Sequence, residues 1–263
     1  MQLPGAVSSA VAALVRGPTR PAEVLGVSAA AIYLAAGADD VIAVLAHDAV
    51  QLPCGILLPT TSAELPLTSI APTPGAEVQI GGGASAWPSA AGPVVITIVR
   101  EWPVVRVGRG RPLAAELKRV RTLGNATVSV FGRSSDGKPT QWTDYLGKGP
   151  GLTPAGDDLL AGLLLGREAF GAAEPGVLAD AICALAPSRT TALSAALLRH
   201  AARGECIPEV AAFAAALTGA GPVGPAAARL LSVGHTSGAA LALGLTMAAD
   251  RALAAVPALA AAG

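Results

Sequence analysis

Over its first 146 residues the chain carries short runs rich in Val and Ile, separated by Gly, Pro and Asp. Such runs, bounded by breakers of regular structure, predict strands. The extended candidates are 24–35, 40–46, 55–58, 77–80, 94–99, 104–107 and 126–131. Gly81-Gly82-Gly83 and the run around Pro72 and Pro74 read as turns. Two helices intervene. One spans 9–16 and stops at Gly17-Pro18; the other spans 112–122, with Pro suited to its first turn and Gly124 to its end.

Beyond about residue 147 the pattern changes to Ala- and Leu-rich stretches, punctuated by Gly or Pro. Helices are predicted at 154–170, 176–185, 189–203, 208–217, 225–232 and 237–255. Ser188 and Thr236 or Ser237 are the expected N-caps of the third and last of these, and Gly204 the terminator of the third. The expected fold class is α+β, with a strand-rich part over 1–146 and an all-helical domain over 147–263. Gly162 and Gly166, four apart, predict a close helix contact.

Composition narrows the picture. Hydrophobic residues make up 52% of the 263, yet aromatics only 3%, so Ala, Val and Leu must build the core. The formal net charge is zero, which argues against a nucleic-acid binder. Residues 100–148 nevertheless hold ten basic and four acidic groups. That is a local positive field, or simply a solvated basic face. Cys54, Cys183 and Cys206 form no metal or disulfide pattern. With no basic leader segment and no run long enough to span a bilayer, the expectation is a soluble cytoplasmic protein with no membrane partner.

Candidate chemistry concentrates in Gly147–Asp158, GKGPGLTPAGDD. Its glycines permit a sharp turn, and the first N–H groups of the following helix have no internal partners, which suits a phosphate or carboxylate. It is neither a phosphate loop, since Lys148 precedes Gly149 rather than Ser or Thr, nor a dinucleotide fingerprint, since Leu152 replaces the third glycine. Asp157 and Asp158 interact favourably with a helix dipole. A pair after Gly156 also suits an acceptor, a Mg²⁺ ligand or a proton carrier. A second polar, glycine-flanked helix start is Gly234-His235-Thr236-Ser237-Gly238, where His235 is a candidate acid or base. A third segment, Ser188 to Ser194, offers Arg189 as a planar donor for an anion and Thr190 on the face of Ser194.

Three segments together, GPGLTPAGDDLLAGLLLG, RTTALSAALLRHAARGE and LLSVGHTSGAALALGL, resemble the signature blocks of a bacterial family that includes the AllH-type subunit of oxamate carbamoyltransferase. The resemblance covers roughly the last 115 residues. It implies a subunit that works with two others in purine-ureide nitrogen metabolism, interconverting oxalurate and phosphate with oxamate and carbamoyl phosphate. The matching positions are Gly149, Gly151, Thr153, Gly156, Asp157, Asp158, Arg189, Thr190, His235, Thr236, Ser237 and Gly238. Lys148 stands where an apolar residue is expected. The leading expectation is a carbamoyltransferase-like subunit binding a small anion, with Asp157, Asp158 or His235 managing protons and Mg²⁺ a candidate cofactor. The alternatives are a non-catalytic assembly subunit and a metal-dependent hydrolase.

Overall fold

The computed structural model describes residues 1–37, 40–89, 92–123, 141–171 and 175–255. Two compact units divide the chain between Val104 and Val105. The sequence texture changes later, at 146/147. Residues 105–123 belong with the helical unit because Arg106 bridges to Glu205 and the helix Ala114–Leu123 packs on three later helices.

Among the described residues the first unit is an eight-stranded closed barrel with one short α-helix. Its strands are β1 (Gln2–Ser8), β2 (Arg20–Val27), β3 (Ala31–Ala35), β4 (Val41–Leu45), β5 (Gly55–Leu57), β6 (Glu77–Gly81), β7 (Ala84–Trp87) and β8 (Val94–Trp102). Helix α1 (Ala12–Arg16) ends at Gly17, as its Gly-Pro terminator predicts. The strand order is β1-β5-β4-β3-β2-β6-β7-β8. Closure comes from β8 pairing parallel to β1, and no strand edge is left open. Ile32, Leu34, Ile42, Val44, Ile56 and Ile96 fill the interior, and β4 is buried at every position, as a continuous apolar run requires.

Several strand expectations need correction. The run 24–35 is two strands, because the Ser28 hydroxyl accepts the Ala30 and Ala31 N–H groups and turns the chain. β1 and β7 were not foreseen: β1 contains Pro4 and Gly5, and β7 is a short Ala-Ser alternation. Segment 104–107 is not a strand and contributes only the Arg106–Glu205 bridge. The expected strand 126–131 lies outside the described residues.

The second unit contains α2 (Ala114–Leu123), α3 (Ala155–Phe170), α4 (Pro175–Arg189), α5 (Ala192–Ala202), α6 (Pro208–Leu217), α7 (Val223–Leu231) and α8 (Ser237–Ala254). α3 is apolar around nearly its whole circumference and is accordingly the central helix, packed on α8, α5, α4 and α6. α4 runs past Pro187 to Arg189, so Ser188 is inside it and does not cap α5. Thr191 does, accepting the Ser194 N–H at 3.1 Å. Gly204, at φ 74°, follows the end of α5 as expected. The α+β class therefore holds, with the sheet in the N-terminal part and the helices concentrated in the C-terminal part. Among the described residues no helix is long and apolar enough to cross a membrane.

Candidate functional site

The site grows from one packing contact. A Cβ at Gly162 would overlap the Leu241 carbonyl, one at Gly244 the Leu159 carbonyl, and one at Gly166 would press on Ala248 and Leu245. Only hydrogen in place of a side chain lets α3 and α8 approach backbone to backbone. Positions 158, 162 and 166 meet 237, 241 and 245 in the same order, so the two helices run in one direction. Their N-termini therefore lie side by side. Two aligned positive dipole ends are unfavourable together, and carboxylates in the first turn offset them.

The turn ahead of α3 is fastened by that helix. Asp157, 2% exposed, accepts the Gly147 N–H at 2.7 Å and the Thr190 hydroxyl. Gly147 adopts φ 75° with its Cα against the Arg189 carbonyl, a position closed to any side chain. Gly156 lies against the Tyr145 carbonyl and donates its N–H to Lys148. The Thr191 hydroxyl donates to the Leu152 carbonyl at 2.5 Å, which ties the start of α5 to the same turn. Both Asp157 oxygens are thus engaged by neutral donors within the fold, the arrangement of a clasp. Asp157→Ala strands a Gly147 N–H and a Thr190 hydroxyl, and should destabilise the chain by about 2–4 kcal/mol in urea titration. An unchanged midpoint would refute the clasp.

Asp158 differs in its partners. It is 8% exposed, and its Oδ2 has no hydrogen-bond partner. Burial pushes its carboxyl up to about 7; the nearby Ser237 hydroxyl works the other way, and the adjacent Asp157 charge adds to the rise. Around this carboxyl the helix starts lack side-chain caps, since Pro154 and Thr236 occupy the N-cap positions without capping bonds. Among the described residues the N–H groups of Ala155, Ser237 and Ala239 have no backbone acceptor. Two helix starts that end in open donors, with one neutralisable acid between them, can receive an anion and exchange a proton.

The structure brings Asp157, Asp158, Gly156, Thr190, Ser237 and Gly238 into this packed region. Gly238 is buried against the Leu230 carbonyl, so its role is close approach. Gly149 and Gly151 form the exposed turn with positive φ, and Thr153 is half-buried beyond it. His235, Thr236 and Arg189 are exposed, the last at the end of α4, where its carbonyl meets Gly147. Asp157, Asp158 and His235 do not gather into a metal centre. Among the described residues no three His, Cys, Asp or Glu side chains do so.

Sequence reasoning missed Tyr145, Lys148 and Leu152 as backbone acceptors, because a carbonyl carries no side-chain signature. It also missed Glu205. This buried carboxylate meets His200 Nδ1 at 2.6 Å, Arg203 at 3.0 Å and Arg106 at 2.7 Å. Burial works upward on Glu205, but the His200 and Arg203 hydrogen bonds and the Arg203 charge hold its carboxyl below the usual range. Burial holds His200 below its ordinary value, against the Glu205 hydrogen bond. His200 is therefore an internal strut. The basic stretch has a similar use: Arg106 pairs with Glu205, Arg109 with Glu168, Arg119 with Glu116 and Arg121 with Asp250. Cys54 is fully buried, and burial pushes its thiol up to about 12, which leaves no reactive thiolate.

No solved structure matches this chain. Residues 145–249 match the family described as oxamate carbamoyltransferase subunit AllH. The match begins at Tyr145, whose carbonyl abuts Gly156, and ends within α8, so it includes the clasped turn and both helix starts. Over residues 145–249 the chain is thus similar to the oxamate carbamoyltransferase subunit AllH family, and the three motif segments all fall within that range.

Proposed function

We propose that this chain is a carbamoyltransferase-type subunit that binds a small anion, of the oxamate, oxalurate or carbamoyl phosphate kind, where α3 and α8 begin. One observation carries the reading: the buried Asp158 carboxyl, with an unpartnered oxygen, lies between two helix starts that retain open N–H donors. Backbone donors fixed before the ligand arrives stabilise charge on a carboxylate, a phosphate or the oxygen of a carbamoyl group under attack. Asp158 is the proton carrier, because it alone of the pair has an oxygen free of internal bonds. Asp157 positions the turn. Arg189 and His235, both exposed, supply further contacts to the anion, and Gly149, Gly151, Thr153, Thr190, Thr236, Ser237 and Gly238 shape the rim.

Calorimetry of the purified chain with carbamoyl phosphate, oxamate and oxalurate, with and without Mg²⁺, tests this reading. At least one should bind, and Arg189→Ala should weaken it about tenfold, the loss of one charge-assisted hydrogen bond. Absence of binding by all three rejects the reading.

A second reading is a non-catalytic assembly subunit. It is favoured by the glycines, since Gly156, Gly162, Gly238 and Gly244 all serve backbone contacts within the fold. Unchanged activity of the assembled enzyme after Asp158→Asn and His235→Ala would select it.

A further inference from the structure

Asp158 is more than nine-tenths buried, and its Oδ2 is sealed from solvent without a hydrogen-bond partner. The Ser237 hydroxyl, at the start of α8 and only half-buried, is the polar side chain that acts on this carboxyl. The neighbouring Asp157 carboxylate is held by an N–H and a hydroxyl, neither of which brings a positive charge. Every element packed around the carboxyl contributes to its surroundings. Its own helix carries Asp157. The start of α8 carries His235, two residues before Ser237, and the turn against Gly156 carries Tyr145 and Lys148. Where α4 hands over to α5 stand Arg189 and Thr190. Of these charges, the one that acts on Asp158 is Asp157. An anion arriving at the N–H groups of Ser237 and Ala239, which have no backbone acceptor, would place a further negative charge near Asp158, which already feels the Asp157 charge.

We propose that anion binding at the paired helix starts is proton-coupled: Asp158 takes up one proton from solvent, by way of the Ser237 hydroxyl, as the anion binds, and returns it as the anion leaves. The proposal rests on the anion-binding reading above and adds to it a regulation by pH. Like charges that share a site cannot all stay ionised, and the buried member whose charge is least satisfied by hydrogen bonds yields first. Both oxygens of Asp157 accept hydrogen bonds within the fold, whereas Asp158 keeps an oxygen without a partner. Burial holds the Asp158 carboxyl at about 7 in the free chain, so the uptake on binding should be larger at pH 8 than at pH 7. Affinity for a permanently ionised carboxylate should accordingly fall as pH rises above 7.

The test is titration calorimetry of the full chain with oxamate and, separately, sulfate, both fully ionised over this range, in two buffers of different ionisation enthalpy at pH 7 and pH 8. The expected result is a heat that depends on the buffer, with more uptake at pH 8 than at pH 7. Asp158→Asn should bind with no buffer dependence. Ser237→Ala removes the hydroxyl that opposes protonation, and should move the uptake window to higher pH while keeping the carboxyl. Circular dichroism of each variant checks that the helices are intact. Binding without buffer dependence in the unmodified chain overturns proton coupling and leaves the anion site standing. No heat with either anion overturns the anion site itself. Equal uptake by Asp158→Asn assigns the proton elsewhere and refutes the role of Asp158.

Discussion

Asp158→Asn should make the protein more stable at pH 8, with the gain shrinking steadily as the pH is lowered towards 4. The sign follows from linkage. The carboxyl sits at about 7 in the folded chain, against an ordinary value of 3.8. The folded state therefore holds a proton that the unfolded chain releases. Stability from the protonated group is present in full below the ordinary value and is lost as pH rises through the folded one. Above pH 7 the native protein must carry a buried carboxylate with an unpartnered oxygen, whereas Asn carries no charge to bury. At about 1.4 kcal/mol per unit, the gain at pH 8 is on the order of 4 kcal/mol at most. In a domain of this size that corresponds to a rise of several degrees in Tm. Urea and thermal melts of both proteins at pH 5 and pH 8 measure it. The buried His200–Glu205 pair also makes stability depend on pH, but it is common to both proteins and cancels in the difference. A gain of equal size at both pH values would mean that Asp158 does not hold the proton.

Gly244→Val should have the opposite and comparably large effect. A Cβ at position 244 would overlap the Leu159 carbonyl and lie 2.5 Å from the Leu163 nitrogen, both backbone atoms of α3. No rotamer change relieves such a clash, so the helices must separate along their whole contact. Overpacking of a core typically costs 1–3 kcal/mol, and a backbone clash belongs at or above the upper end, about 3 kcal/mol or more. The displacement also parts Ser237 from Asp158, since both lie on the same two helices, so the variant should lose proton-coupled binding together with stability. Gly224→Ala is the control. It lies in α7, where an added Cβ meets nothing within 4 Å, so its effect should stay within about 0.5 kcal/mol of zero. Denaturant titration of both variants tests the pair, and similar midpoints would refute the close-contact account.

The helices were readable before any coordinates because each is framed by local chemistry. Pro208–Leu217 has proline in its first turn, Ser237–Ala254 follows a glycine-flanked polar turn, and the close contact announced by Gly162 and Gly166 is present. The barrel was only half readable. β1 carries Pro4 and Gly5, which local rules exclude from strands, yet they are accommodated because β1 pairs with β5 and β8 at a register shift between Gly5 and Ala6. Closure of a barrel is a relation among distant segments, and no local run encodes it.

The sequence by itself placed candidate chemistry in three glycine-bounded segments, because Gly, Pro, Asp and Thr impose turns and helix starts through short-range sterics and hydrogen bonds. What it could not do was tell Asp157 from Asp158, adjacent residues of one type. Tertiary structure separated them. Helical geometry turns neighbouring side chains about 100° apart, so one meets Gly147 and Thr190, while the other is buried towards Ser237 at the start of a parallel helix. Which of two identical carboxyls is satisfied and which is left with an open oxygen depends on partners distant in sequence, and only the folded chain brings those partners to it.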